Sequence, residues 1–445
     1  MSNIFTELAA DRSLAAITST ASMIPVAGPG APVAAAVFAP EEKGPFKGGP
    51  AITEDAVQRT VNSEGRAEVL VDGSGLPVRG SSVLLDSVFS QSSRMETALW
   101  DYADFLGLPG ITMATPAESE TRDLVETQFS AVKKTLGAVI PDDDTLRTPE
   151  AAADMVAAEL AATLPGVSSW TLSHRHVDAV LRTARLGGKA LETTAEYRKL
   201  VSASPRNIAP LLRYAPNAVI FGFWAAALPT GSKLARSVTS SVTGYGASRV
   251  LEGSTKSTPL PVTSHAEVKM TKEGLAAKFT PKAPAEKLRP SSHGYGAVPS
   301  FGGHAVTCSD IISDSAVSVG HMRRLFAASP LNREQSEAAL AAMIGLGVLG
   351  RALVLESGFY RSGCELVYTS HTWSQAANGG QRDLDIPASS EDLIDDVRDA
   401  VAAAQALGAF GTAEDRLNVD ISPTFHKLAC MSYIEQVLKR DAEGE

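Results

Sequence analysis

The stretch from Val83 to Leu106 (VLLDSVFSQSSRMETALWDYADFL) changes its hydrophobic period midway, and this constrains the chain more than any other feature in it. Val83, Leu84 and Leu85 form a short apolar run after a Gly80-Ser81-Ser82 break, the pattern of a buried strand. Beyond a polar joint, Ser90-Gln91-Ser92-Ser93-Arg94, the apolar residues Met95, Leu99, Tyr102 and Leu106 recur at three- and four-residue steps, the spacing of one helix face. A strand that delivers a hydroxyl, an amide and a guanidinium to the start of a helix places donors where backbone N–H groups also point outward. Ser90, Gln91 and Arg94 are therefore candidates for an anion or phosphate site. The competing reading makes Ser90 a helix N-cap and Arg94 a solvated first-turn charge.

With 445 residues the chain is long enough for a substantial core and two or three lobes. Three scattered cysteines (Cys308, Cys364, Cys430) offer neither a disulfide framework nor zinc spacing, which fits a reducing cytoplasm. The small apolar stretch Ala15–Pro40 is broken by prolines and lacks the basic start of an export signal. No uninterrupted apolar run long enough to span a bilayer is expected, so no membrane partner is predicted. His174 and His176 stand two residues apart and do not share a helix face as a metal pair would, and Asp142-Asp143-Asp144 lacks calcium-loop spacing. Gly231-Ser232-Lys233 lacks the spacing of a nucleotide P-loop. Neither a cofactor nor a metal is predicted.

The formal net charge is −10, which at first argues against a nucleic-acid partner. Its distribution reverses that. Residues 1–169 carry 11 basic and 23 acidic side chains, and residues 299–445 carry 11 and 20. Residues 170–298 carry 18 basic and 7 acidic, and no Asp or Glu occurs between Tyr197 and Leu251. A basic middle in an acidic chain points to a polyanion, or to a basic face docking on the acidic lobes of a neighbouring copy.

Along the chain, Leu14 to Ile24 is predicted as a strand, followed by a Pro/Gly-rich loop that ends at Gly44–Pro50. Residues 67–88 read as two strands around an Asp72–Gly75 turn. Helices are predicted for Ala117–Leu136, Pro149–Leu164 and Ser173–Leu186, the last opening with His174, Arg175 and His176 as a polar start or RNA contact. The run after Pro216-Asn217, through Trp224, reads as a buried strand. Lys233 and Arg236 sit among small residues that let a backbone approach phosphates, and Thr239–Val250 reads as strand and turn. Residues 252–298 are rich in Pro, Lys, Ser and Gly; they carry Lys256 and a predicted basic hairpin, Glu267–Thr280, with Lys269 and Lys278 on its arms. Ser292–Gly296, with His293 and Tyr295 between glycines, is a stacking loop or a linker. Asn332, three before Gln335, is a capping-box start for an Ala-rich buried helix. Phe359–Tyr368 reads as a strand, and Ser389–Leu407 as an amphipathic helix closed by Gly408.

The motifs Leu84–Glu96, Ala215-Pro216-Asn217 through Gly222-Phe223-Trp224, Ser318–Leu325 ending in Arg323-Arg324-Leu325, and Arg361-Ser362-Gly363-Cys364-Glu365-Leu366 occur in an order that resembles one family. This is the backbone subunit, of the Cas seven group in the repeat-associated RNA-binding superfamily, of type I-U (I-G) CRISPR effector complexes. The resemblance implies an α+β fold, a ferredoxin-like, RNA-recognition-type palm with helical and loop insertions as fingers and thumb. It divides the chain into N-terminal strands of the palm (1–88), a helical insertion (89–169), a basic palm segment (170–251), a thumb-like hairpin (252–298), C-terminal palm elements (299–370) and a helical extension (371–445).

The expected function is a non-catalytic cytoplasmic subunit that polymerises along a CRISPR guide RNA and presents it to a target DNA strand. Its partners would be further copies of itself, other effector subunits and a recruited helicase-nuclease. Arg94, His174, Arg175, Lys233, Arg236, Lys256, Lys269, Arg323, Arg324 and Arg361 are the expected contacts to the guide, with Ser90, Gln91 and Asn217 adding hydrogen bonds. Two rivals are an RNA-cleaving relative, using His174 with Asp178 or His293 with a hydroxyl, and an oligomeric scaffold that binds only protein.

Overall fold

In the computed structural model the residues described are 3–36, 51–136, 148–226, 231–250, 252–256, 266–271, 274–282, 285, 289–290, 298–302, 305–377 and 380–443. The Gly44–Pro50 loop, the Asp142–Asp144 corner, Lys272-Glu273 at the hairpin tip and the Ser292–Gly296 loop lie outside them.

The fold is α+β, organised on an antiparallel sheet of β1 (Leu14–Pro25), β2 (Ile52–Val57), β3 (Arg79–Asp86), β4 (Val238–Tyr245), β5 (Asp310–Val317), β6 (Phe359–Arg361), β7 (Cys364–Ala377) and β8 (Gly380–Asp383). Neighbours run β6-β7-β1-β5-β4-β3-β2, with β8 paired to the far end of β7. The helices include α1 (Ile4–Ala10), α2 (Val88–Asp101), α3 (Glu118–Leu136), α4 (Pro149–Thr163), α5 (Val319–Ala327), α6 (Arg333–Ser357), α7 (Ser390–Ala406) and α8 (Pro423–Glu443). The central four strands, β7-β1-β5-β4, are connected in the chain order β1, α2, β4, β5, α6, β7.

The alternation in β1 explains its place. Ile17, Ser19, Ala21 and Met23 turn inward, whereas Thr18, Thr20 and Ser22 face the other side. On the inward side α6 lies against the sheet and against α1, α2 and α7. Its Ala/Gly/Leu composition makes a smooth, apolar cylinder: a Cβ on Gly347 would stand 3.0 Å from Val238 Cγ2, so the helix needs glycine to press on β4 and β5. The expected capping box is present, with Asn332 accepting from Gln335 N at 2.9 Å and Gln335 accepting from Asn332 N at 3.1 Å. By length and composition this helix could cross a membrane, contrary to expectation, but 89% of its apolar window is buried inside the protein. It is a core helix. Helices α3, α4 and α8 pack on one another, and their buried residues join the same continuous core.

One of the charged side chains buried in the core has no carboxylate bonded to it among the described residues. Arg351, on α6, is fully buried and donates to Ser19 Oγ (3.2 Å), Ser240 Oγ (3.2 Å), Ser313 Oγ (2.7 Å) and the Ser313 carbonyl (2.9 Å). Burial pulls its guanidinium down to about 10. Serine hydroxyls from β1, β4 and β5 thus replace a counter-ion and pin the helix to three strands.

Several expectations need correction. Residues 217–221 form a short helix and only Phe223–Trp224 is extended, because Gly222 adopts φ 74° and breaks the run. The 173–186 segment is a 3-10 turn (Arg175–Val177) followed by a single helix of Ala179–Thr183. The two strands expected around the Asp72–Gly75 turn are present, bridged next to it by Val71 and Pro77, and farther out 67–69 pair with 59–61 while β3 pairs with β2 and β4. The 370/371 boundary falls inside β7, and the 88/89 boundary inside the first turn of α2.

Candidate nucleic-acid interface

The polar joint after β3 is not a loop. Ser87, not Ser90, is the cap: its Oγ accepts from Ser90 N at 3.2 Å, so α2 begins at Val88. Residues 89–94 therefore divide between two faces of a helix. Gln91, Ser92, Met95 and Glu96 turn into the core, and Phe89, Ser90 and Ser93 turn outward.

The inward face organises two ionic clusters. Asp86, fully buried at the end of β3, accepts from Arg94 Nε (3.3 Å), Arg361 Nη2 (3.0 Å) and Gln91 Nε2 (2.6 Å). Gln91 also accepts from Ser240 Oγ at 2.9 Å, which links this cluster to Arg351. Arg361 further donates to the carbonyls of Ala34 (3.1 Å) and Leu85 (2.5 Å). Below it, Glu96 is 3% exposed and receives two bonds of 2.7 Å from Arg175 and one of 2.7 Å from Asn217. Burial pushes the Glu96 carboxyl above its usual range, against the pull of Arg175 and Asn217. Asn217, buried on its short helix, also donates to the Ser169 carbonyl at 2.8 Å. Arg175 holds φ 55°, a left-handed backbone rare outside glycine.

Gln91, Asn217 and Arg175 are thus framework residues and not surface donors, and Arg94 and Arg361 are committed to Asp86. Arg323 is corrected in the same way: it donates to the carbonyls of Ala9 (3.4 Å), Asp11 (2.9 Å) and Leu14 (2.9 Å), stapling α5 to the α1–β1 connection. An arginine's five donors suit buried carbonyls and carboxylates as well as phosphates, and sequence alone does not separate these uses. Arg324 is exposed on α5. Lys256 lies in a strand, Glu252–Lys256, that pairs with Val298–Gly302, and Lys269 in the hairpin arm Ala266–Thr271, paired as expected with Gly274–Phe279.

The outward face of α2 opens on a cleft of ≈ 910 Å³. It brings together Ser90, Ser93, His174 and Arg236 with Phe89 and Trp224, and Arg175 reaches its wall from below. Lys233, exposed, sits opposite Trp224 in the two-residue ladder Phe223–Trp224 with Lys233–Leu234. Arg236 donates to the Phe221 carbonyl at 3.2 Å, and its guanidinium lies 4.0 Å from the Phe89 ring centroid. Burial and the neighbouring Arg175 hold the Arg236 guanidinium below its usual range. No Asp or Glu is among the described residues lining the cleft; of its arginines, Arg175 is paired with Glu96 and Arg182 with Glu192, so Arg236 supplies its positive charge. Behind it the His176 ring packs edge-on against Phe223 and is driven down to about 3 by burial.

Sequence reasoning missed Phe89 and Trp224, which are 72% and 68% exposed. For Phe89 the signal was present: it lies one helical turn before Ser93, on a face otherwise polar. The cleft can accept an anionic ligand at its basic groups and a flat ring at its aromatic ones.

The family model described as CRISPR-associated protein GSU0053 matches residues 17–249, just over half of the chain. A chain of a solved structure described as a CRISPR RNA-guided surveillance complex, pre-nicking, is 10% identical, with 94% of this chain and 100% of that one covered, at a TM-score of 0.28. No curated protein matches.

Proposed function

Because the chain belongs to the CRISPR-associated GSU0053 family, we propose that it is a non-catalytic backbone subunit that holds a CRISPR guide RNA in a multi-subunit effector complex. The cleft beside α2, with Arg236 and His174 on its walls and no carboxylate among its described lining residues, carries this reading. His174, Lys233 and Arg236 offer charge-assisted contacts to phosphates, and Ser90 and Ser93 offer hydroxyls alongside them. Such contacts grip a backbone of any sequence and leave specificity to base pairing between guide and target DNA. With the intervening β2 and β3 passed over, the order β7-β1-β5-β4 and the sequence β1, α2, β4, β5, α6, β7 support a ferredoxin-like palm in this reading. The acidic remainder of the chain suits head-to-tail stacking of copies along the guide, one copy's acidic face meeting the next copy's basic edge. In this reading the subunit acts in the cytoplasm, with further effector subunits and a helicase-nuclease as partners.

The test is the salt dependence of binding to single-stranded RNA. Affinity should fall linearly on a log–log plot with a slope of about −0.7 per neutralised phosphate, and Lys233→Ala should flatten that slope by about 0.7. An affinity indifferent to salt would refute the reading.

A further inference from the structure

The cleft holds more than a phosphate requires. Two large aromatic side chains, Phe89 and Trp224, remain mostly in solvent on its walls. Each leaves apolar area unburied that either the core or a ligand could cover. Neither is loose. Phe89 is the second residue of a capped helix, and Trp224 is held in the ladder opposite Lys233. The Arg236 guanidinium covers the Phe89 ring at 4.0 Å and is itself anchored by the Phe221 carbonyl, giving a preformed cation–aromatic platform. With no carboxylate among the described residues lining the cleft and the Arg236 charge on its wall, an acidic or polyanionic partner is favoured over a neutral apolar one.

We propose that this cleft seats one unstacked base of single-stranded RNA on the Phe89–Arg236 platform and against Trp224, while the flanking basic groups hold its phosphates. This rests on the guide-binding reading and deepens it. Every base has a π-face, so the seat would be tolerant of sequence, as a subunit that carries any guide requires. The volume of ≈ 910 Å³ is ample for a nucleotide.

The experiment crosses the aromatic side chains with the base. Full-length protein, Phe89→Ala, Trp224→Ala and the double variant are each titrated with a labelled single-stranded RNA. The same RNA bearing abasic sites, with its phosphates unchanged, is titrated in parallel. Wild type should bind the abasic RNA roughly 5- to 150-fold more weakly than intact RNA. The variants should lose a comparable factor on intact RNA, lose little more on abasic RNA, and keep the wild-type salt slope. Because both side chains are mostly exposed, the variants should melt at the wild-type temperature. Equal affinity of wild type and variants for intact RNA would overturn the base seat and leave the guide-binding reading standing. Equal losses on intact and abasic RNA would also overturn it, by assigning the rings to a protein contact. Failure of wild type to bind either RNA would overturn both.

Discussion

Replacing Glu96 with glutamine keeps the shape of a buried side chain and deletes its charge. Arg175 then loses the counter-ion that receives two bonds of 2.7 Å, in a site where its side chain is only 10% exposed. Breaking a buried pair from one side costs about 3–5 kcal/mol, because the remaining guanidinium stays desolvated. The opposite change, Arg175→Met, should cost less, about 1–3 kcal/mol, since the orphaned carboxyl, already pushed up by burial, takes a proton instead. The double variant Glu96→Gln/Arg175→Met leaves no buried charge of this pair and retains a partner for Asn217. It should therefore be more stable than Glu96→Gln alone, although it carries one more substitution. Urea unfolding followed by tryptophan fluorescence suits this cycle, because Trp170, stacked on Trp100 with centroids 5.9 Å apart, adjoins the Ser169 carbonyl that Asn217 binds. The reasoning fails if Glu96→Gln unfolds within about 1 kcal/mol of wild type, or if the two changes simply add.

Three further outcomes are expected. Gly222→Ala should destabilise by well over ~1 kcal/mol and weaken RNA binding, since φ is 74° and a Cβ would stand 2.7 Å from the Leu234 carbonyl oxygen and 3.0 Å from Arg236 N; thermal melts and RNA titration read both effects. His176, with no partner for either ring nitrogen among the described residues, has its folded value near 3, so the unfolded chain binds a proton that the folded one refuses between pH 6.5 and 3. Stability is thus lost as pH falls through that window, by about 2 kcal/mol from this residue at pH 5. His176→Leu should reduce the slope without abolishing it, because His371 is also held down, to about 4; a urea series from pH 7.5 to 5 checks this. Asn332→Ala removes the cap of α6 and should lower stability by about 1 kcal/mol in the same assay, with RNA affinity unchanged.

What could be read before the structure was what depends on local periodicity. β1, the capped α6, the 266–279 hairpin and the Ser389-capped α7 all stand close to where spacing and cap chemistry put them. Two local errors had local causes. Ser87 competes with Ser90 for the same capping geometry, and an apolar run of five residues is equally good as buried helix or strand until Gly222 ends it. The candidate site was legible only in part. His174 and Arg236 do gather at one cleft with Ser90, and Lys233 stands beside it opposite Trp224, but Arg94, Arg175, Arg323 and Arg361 are spent on internal carboxylates and carbonyls. Their partners, Asp86 and Glu96 among them, are far from several of them in sequence. Arg361 lies 275 positions from Asp86, and no short-range pattern announces such a pairing.

The most direct test of the guide-binding account is to purify the protein after co-expression with the neighbouring genes of its operon. The absorbance ratio at 260 and 280 nm, read before and after nuclease, then reports bound nucleic acid. The account predicts a large multi-copy particle carrying RNA of one discrete length. A nucleic-acid-free monomer or small oligomer, with the same absorbance ratio before and after nuclease, would contradict it.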